Sequence, residues 1–253
     1  MSEGQGDGGL KPAAHPAKFN DHIINAARAH LIRQLWDGTD RTRWILDPMA
    51  GVGRVHELVT RDLPATDCWR VVGGELELPW ARQGAGRGGE GRGHLTVQHD
   101  AMSMPFPRGV FDAVFMSPDY GNRMADAHNA RDKSKRHTYT HYARTAAEPW
   151  ELRPETTCKT KWGKKYKAQH VAIMREVERV LKWDGTLVLN VKNIIMNKQE
   201  VNVVGWYAGV LRGVLKMDVY DVVDVRGDGL RHGANHDARV DGEVLICARK
   251  EPF

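Results

Sequence analysis

The chain has 253 residues, 41% of them hydrophobic and 27% charged, which is enough apolar material for one buried sheet with helices on its faces and too little length for two independent domains. Three widely spaced cysteines (Cys68, Cys158, Cys247) without a Cys-x-x-Cys pair argue against a disulfide framework or a zinc site. No apolar run nears membrane-spanning length, and the first residues lack the apolar segment of a secretory signal, so a reduced, cytoplasmic protein is expected. The formal net charge of +5 becomes informative only where the basic residues cluster.

In chain order, residues 1–11 are Gly-rich and polar and read as a disordered lead-in. From Phe19 to Trp36 apolar residues recur at helical spacing, which predicts an amphipathic helix. Four short apolar runs follow, Trp44 to Met49, Arg70 to Glu77, His94 to Asp100 and Phe111 to Pro118, each ending in polar or turn residues as buried parallel strands do. GAGRGGEGRG, Gly84 to Gly93, reads as a flexible Gly/Arg loop, and residues 122–167 as a basic, aromatic-containing insertion. Helical patterns at Val171 to Leu181 and Val203 to Leu215 alternate with strands at Gly185 to Asn193, Val219 to Val225 and Glu243 to Arg249. The last two strands are joined without a helix, which predicts an antiparallel hairpin at the sheet's edge.

The chemistry is expected at the strand ends. The first strand runs into DPMAGVGR, Asp47 to Arg54, where Gly51 and Gly53 allow a sharp turn and a close ligand approach; no Lys-Ser/Thr follows to make it a phosphate-binding Walker loop. The second strand ends at Glu75, with Glu77 two residues on; a carboxylate there is placed to accept hydrogen bonds from ribose hydroxyls, and either glutamate taken singly reads equally well as a surface acid. Asp100 closes the third strand and Ser117-Pro118-Asp119-Tyr120 the fourth, so four consecutive strands end in polar groups at one edge of the sheet.

With DPMAGVGR followed in order by SPDYGNR, and with HPAKF (His15 to Phe19) ahead of both, the chain resembles the amino-methyltransferases that modify N6 of adenine or N4 of cytosine in DNA. The resemblance implies an α/β, Rossmann-like class I methyltransferase: a seven-stranded, mostly parallel sheet with an antiparallel C-terminal hairpin strand, forming a single domain over residues 12–253 with the insertion at about 122–167. It implies S-adenosyl-L-methionine as cofactor, with Asp47, Pro48, Gly51 and Gly53 lining it, Glu75 on the ribose, Asp100 at the adenine amine, and Lys18 and Phe19 near the methionine part.

In the same family pattern Ser117, Pro118, Asp119 and Tyr120 form the catalytic motif. A base amine is a poor nucleophile because its lone pair is delocalised into the ring. Acceptors at the Ser117 hydroxyl and Pro118 carbonyl would draw the nitrogen towards tetrahedral geometry, with Tyr120 stacked on a base flipped out of the duplex. The family's usual second proline is Asp119 here, which puts the target in question; the leading serine leans slightly towards cytosine.

DNA is the expected partner, in a restriction-modification setting among others, with no metal and with a monomer or dimer left open. The basic stretches supply Arg123, Lys133, Lys135, Arg136, Lys161, Lys164 and Lys165 for phosphate contacts, interleaved with aromatics that can stack on bases; the final hairpin supplies Arg231, His232 and Asn235. Two alternatives stand beside this reading. Gly121-Asn122-Arg123 also resembles the enzymes that methylate N2 of guanosine in tRNA, and Asp119 in place of proline is compatible with a non-catalytic nucleic-acid-binding protein of the same fold.

Overall fold

A computed structural model of the chain describes residues 19–60, 62–87, 94–119, 121, 139–144, 146–196, 198–225 and 242–252. The lead-in and Lys18, Tyr120, Arg123, Lys133, Lys135, Arg136, Arg231, His232 and Asn235 lie outside the described residues.

The first helical pattern forms α1, Asp21–Leu35, and its start is set by Asn20, whose side chain accepts the Ile23 N–H at 2.8 Å. Its apolar stripe of Ile23, Ile24, Ala27 and Leu31 is buried. The first four strands follow as β1 (Arg43–Asp47), β2 (Trp69–Glu75), β3 (Leu95–Gln98) and β4 (Phe111–Met116), each within a few residues of its predicted bounds. Between β2 and β3 lies α2, Leu78–Arg87, so Gly84 to Arg87 are helical and not the start of a loop. The reason is a contact: a Cβ on Gly53 would stand 2.7 Å from the Gly84 Cα, so two glycines let α2 lie against the turn after β1.

A short helix α3, Tyr139–Arg144, precedes α4, Lys164–Val180, which begins seven residues earlier than its apolar periodicity predicted and draws Lys164 and Lys165 onto its first turn. Next come β5 (Leu181–Val191), a small hairpin of β6 (Ile194–Met196) and β7 (Gln199–Val201) that the sequence reading did not foresee, and α5 (Val203–Gly209), continued by a π-turn over Val210–Val214. The last strands are β8 (Asp218–Val225) and β9 (Glu243–Arg249).

Seven strands form one sheet in the order β3-β2-β1-β4-β5-β9-β8. The first five are parallel; β9 runs antiparallel to both β5 and β8, so the strand latest in sequence sits inside and β8 forms the edge. Side chains of β4 alternate between the two halves of the core: Ala113 and Phe115 pack with the α1 residues, Val114 and Met116 with Ile173, Met174 and Val177 of α4. Burial on both faces explains why β4 reads as a near-continuous apolar run.

The order places the functional segments. From β1 the chain steps outward through β2 and β3, then returns to lay β4 on the other side of β1. The loops leaving β1 and β4 therefore diverge from neighbouring strands, and the crevice between them is where open α/β sheets bind ligands. Among the described residues no helix is long and apolar enough to cross a membrane.

Candidate active site

The turn after β1 is built by backbone and one buried carboxylate. Ala50 N–H donates to the Gly74 carbonyl at 2.7 Å, tying the turn to β2, and Gly51 and Gly53 have φ of +55° and +78°, a region costly for residues with a Cβ. The Glu75 Oε2 accepts the Gly51 N–H at 2.9 Å while its Oε1 accepts the Glu77 N–H at 2.8 Å. Burial pushes the Glu75 carboxyl up to about 7, against the pull of these N–H groups.

Asp47 lies beneath the turn. Its Oδ1 accepts the Met49 N–H at 2.9 Å, its Oδ2 is buried with no hydrogen-bond partner, and burial pushes it up to about 8, with the nearby Glu75 adding to the rise.

A cavity of about 380 Å³, the size of a small-molecule site, opens along the carboxyl edge of the sheet. Of the predicted residues, Phe19, Pro48, Gly51, Glu75, Asp100, Ser117, Pro118 and Asp119 line it together. Asp47 and Gly53 stand behind the wall, Asp47 because its side chain folds under the turn and Gly53 because it faces α2. Phe19 is fixed by stacking on Phe115, with ring centroids 4.4 Å apart. Asp100 shapes its own turn, its Oδ1 accepting the Met102 N–H at 2.8 Å.

Part of the insertion forms a further wall, packed against the turn after β1 and α2. Glu155, Thr156, Thr157 and Cys158 line the cavity, and Leu152 and Cys158 pack on Val52 of the turn and Trp80 of α2. The Glu77 Oε1 accepts the Arg153 N–H at 2.9 Å, which anchors this segment to β2's end. Burial pushes the Cys158 thiol up to about 12. Lys161, Lys164 and Lys165 are exposed and off the cavity wall, around the start of α4. That helix has no side-chain N-cap and no acid in its first turn.

No protein-family model matches the sequence, and no curated protein matches it. Solved structures are similar in shape. A chain of the complex between the Haloferax volcanii Trm112 methyltransferase activator and a methyltransferase is 13% identical, with a TM-score of 0.55 over 92% of this chain and 90% of that one. A SAM-dependent methyltransferase from Methanosarcina mazei is 12% identical, with a TM-score of 0.52 over 88% of this chain and 98% of that one. The cyclase SpnF is 17% identical, with a TM-score of 0.54 over 90% of this chain and 81% of that one. The chain has the Rossmann-like fold of class I methyltransferases.

Within this methyltransferase fold several cavity residues had escaped the sequence reading. Arg54 donates to the Phe19 carbonyl, to Asp21 Oδ1 at 2.6 Å and to both Glu57 oxygens, so it braces the segment ahead of α1 against the turn. Asn190 Nδ2 donates to Ser117 Oγ at 3.1 Å and to Glu243 Oε2 at 2.7 Å, and Lys192 Nζ lies 3.6 Å from Glu243 Oε1. Asn190 and Lys192 mark the carboxyl end of β5, and the strand-end rule applied to that strand would have found them. Glu243 begins its strand, but β9 runs backwards, so its amino end shares the same edge. Among the described residues no group of three or more His, Cys, Asp and Glu side chains could hold a metal ion.

Proposed function

We propose that this chain transfers the methyl group of S-adenosyl-L-methionine to an exocyclic amine of a nucleic-acid base, in DNA, with N4 of cytosine slightly ahead of N6 of adenine. The fold does not decide the reaction, since one structure of similar shape is a cyclase. The observation that carries the reading is the single cavity that joins the turn after β1, the acids ending β2 and β3, and Ser117-Pro118 after β4.

The donor set fits that cofactor. The cavity is lined by the acids Glu75, Glu77, Asp100, Asp119, Glu155 and Glu243, with burial holding Glu75 partly protonated until a cation arrives, against the cations Arg54 and Lys192. Such a lining suits a ligand carrying a sulfonium and an ammonium and disfavours a dinucleotide pyrophosphate. Glu75 would hold the ribose hydroxyls and Asp100 the adenine amine, with Pro48 and Gly51 along the ligand and Phe19 and Lys18 at its amino-acid end. When bound, the cofactor supplies an electrophilic methyl group.

The chain's own residues do the rest. Ser117 Oγ, oriented by the Asn190 donor, and the Pro118 carbonyl would accept the two amine N–H groups, and Tyr120 would stack on the base. Outside the cavity, exposed Lys161, Lys164 and Lys165 beside the uncapped start of α4 suit phosphates. Arg123, Lys133, Lys135, Arg136, Arg231, His232 and Asn235 are assigned to the same surface from the sequence.

The reading is tested by transfer of labelled methyl from S-adenosyl-L-methionine to unmethylated DNA and to bulk tRNA, followed by nucleoside mass spectrometry. N4-methylcytosine or N6-methyladenine is expected from DNA. Label confined to tRNA would select the RNA alternative, favoured by Gly121-Asn122-Arg123, and no label in either would remove the nucleic-acid reading.

A further inference from the structure

Asp119 stands where the resemblance leads one to expect a proline, and each of its acceptors is engaged. Its Oδ2 accepts the Thr157 hydroxyl, its Oδ1 accepts the Gly121 N–H at 3.3 Å, and its carbonyl accepts the Tyr166 hydroxyl at 2.6 Å. Tyr166 has one hydroxyl proton and gives it to Asp119, so its 3.0 Å contact with Tyr207 requires Tyr207 as donor. The Tyr207 oxygen is then left to accept from Nδ1 of His170 at 2.7 Å. His170 is wholly buried, its ring stacks on Tyr166 at 3.9 Å, and its Nε2 lies 3.7 Å from Asp119 Oδ2. The donors run in one direction, from His170 of α4 to Tyr207 of α5, back to Tyr166 of α4 and on to the loop after β4, in a buried setting where each bond strengthens the next. Gly121 closes the arrangement: its carbonyl accepts the Trp162 N–H at 3.0 Å, and its φ of +70° brings the loop against the lead-in to α4.

Two consequences follow. The Pro118–Asp119 peptide is planar, so holding Asp119 in place leaves the Pro118 carbonyl only the rotation about the Asp119 N–Cα bond. Thr157 belongs to the wall segment that packs through Leu152 and Cys158 on the turn after β1, so its bond to Asp119 joins that wall to the loop carrying Ser117 and Pro118.

We infer that Asp119 is a positioning residue: through Thr157 and Tyr166 it latches the 155–158 wall to the loop after β4 and narrows the directions open to the Pro118 carbonyl for the reaction. Its catalytic consequence rests on the methyltransferase reading; the latch itself does not.

The test uses the full chain carrying Cys68→Ser, which leaves buried Cys158 and Cys247 as the thiols, and compares it with the same chain carrying Thr157→Val or Thr157→Ser. Valine keeps the shape and removes the hydroxyl; serine restores it. Thiol labelling by an aromatic disulfide should be at least about ten-fold faster at Cys158 in the valine variant, as a lost buried hydrogen bond implies, with Cys247 unlabelled as a check on folding. In methyl transfer to unmethylated DNA the valine variant should lose about ten-fold or more in kcat with the cofactor KM within about three-fold, and serine should rescue both readouts. Wild-type labelling in the valine variant, or a loss in cofactor KM with kcat kept, would overturn the inference. Failure of the methyltransferase reading is seen separately, as absence of transfer by the parent chain; the catalytic part of the inference then falls with it, and Cys158 labelling alone decides the latch.

Discussion

Two buried acids make the site sensitive to pH in ways that can be separated. Glu75 sits on the cavity wall with a carboxyl pushed up to about 7, so near neutrality much of the free protein carries it protonated. A cationic ligand donating ribose hydroxyls favours the ionised form, so binding is linked to proton release. Calorimetry with S-adenosyl-L-methionine should show affinity rising by about ten-fold from pH 6 to pH 8, and Glu75→Gln should flatten that rise while weakening binding overall. Asp47 lies off the cavity and acts on stability alone, to which Glu75, raised from the ordinary 4.5 to about 7, adds its own loss over part of the same pH range. The folded-state value of Asp47, about 8, lies above the ordinary 3.8, so the folded protein keeps a proton that the unfolded chain gives up, and the stability this contributes is lost as pH rises from about 4 to about 8. Asp47→Asn keeps an acceptor for the Met49 N–H, and denaturant titrations should show it removing a decline on the order of 1 kcal/mol per pH unit in that window. Sequence alone marked Asp47 as a residue of the site. It could not show that the side chain would fold under the turn, because the deciding partner is the N–H of Met49, which every residue type but proline supplies.

At the scale of elements, the contact between the turn after β1 and α2 depends on having no side chain on either partner. Gly53→Ala would bring a Cβ to 2.7 Å from the Gly84 Cα at a φ of +78°, and should cost about 2 kcal/mol or more in chemical denaturation. Gly86→Ala, two residues along the same helix and with nothing within 4 Å of its added Cβ, should instead stabilise by about 0.5–1 kcal/mol. This pair also explains why the helix was missed. A glycine-rich stretch reads as a loop on propensity, whereas tertiary contact holds Gly84 in a helix that its neighbours would not specify alone. The strands were legible because burial on both faces leaves a near-continuous apolar run, as in β4, and α1 because its stripe is local. The Asn190–Ser117–Glu243 cluster was not, since it joins residues from β4, β5 and β9 through a pairing that only the assembled sheet defines.

Across the whole molecule, acids crowd the cavity while exposed lysines gather at the uncapped start of α4, so charges of opposite sign face different parts of the proposed substrate complex. Replacing Lys164 and Lys165 together by glutamate should weaken DNA binding and lower the slope of log affinity against log salt by about 2. The same change places acids at a helix N-terminus, so the melting temperature should hold or rise, which separates lost binding from lost structure. The position of β9 inside the sheet bears on how the molecule is made. As the chain emerges from the ribosome, β5 and β8 are present before the strand that must lie between them, and β8 has no partner in the sheet except that strand. Both must wait with open backbone edges until residues 243–249 arrive and close two rows of hydrogen bonds at once. The newborn chain is therefore most at risk of sticking to its neighbours through the uncovered edge of β5, made well ahead of β9, and a translational pause upstream of β9 would lengthen that exposure.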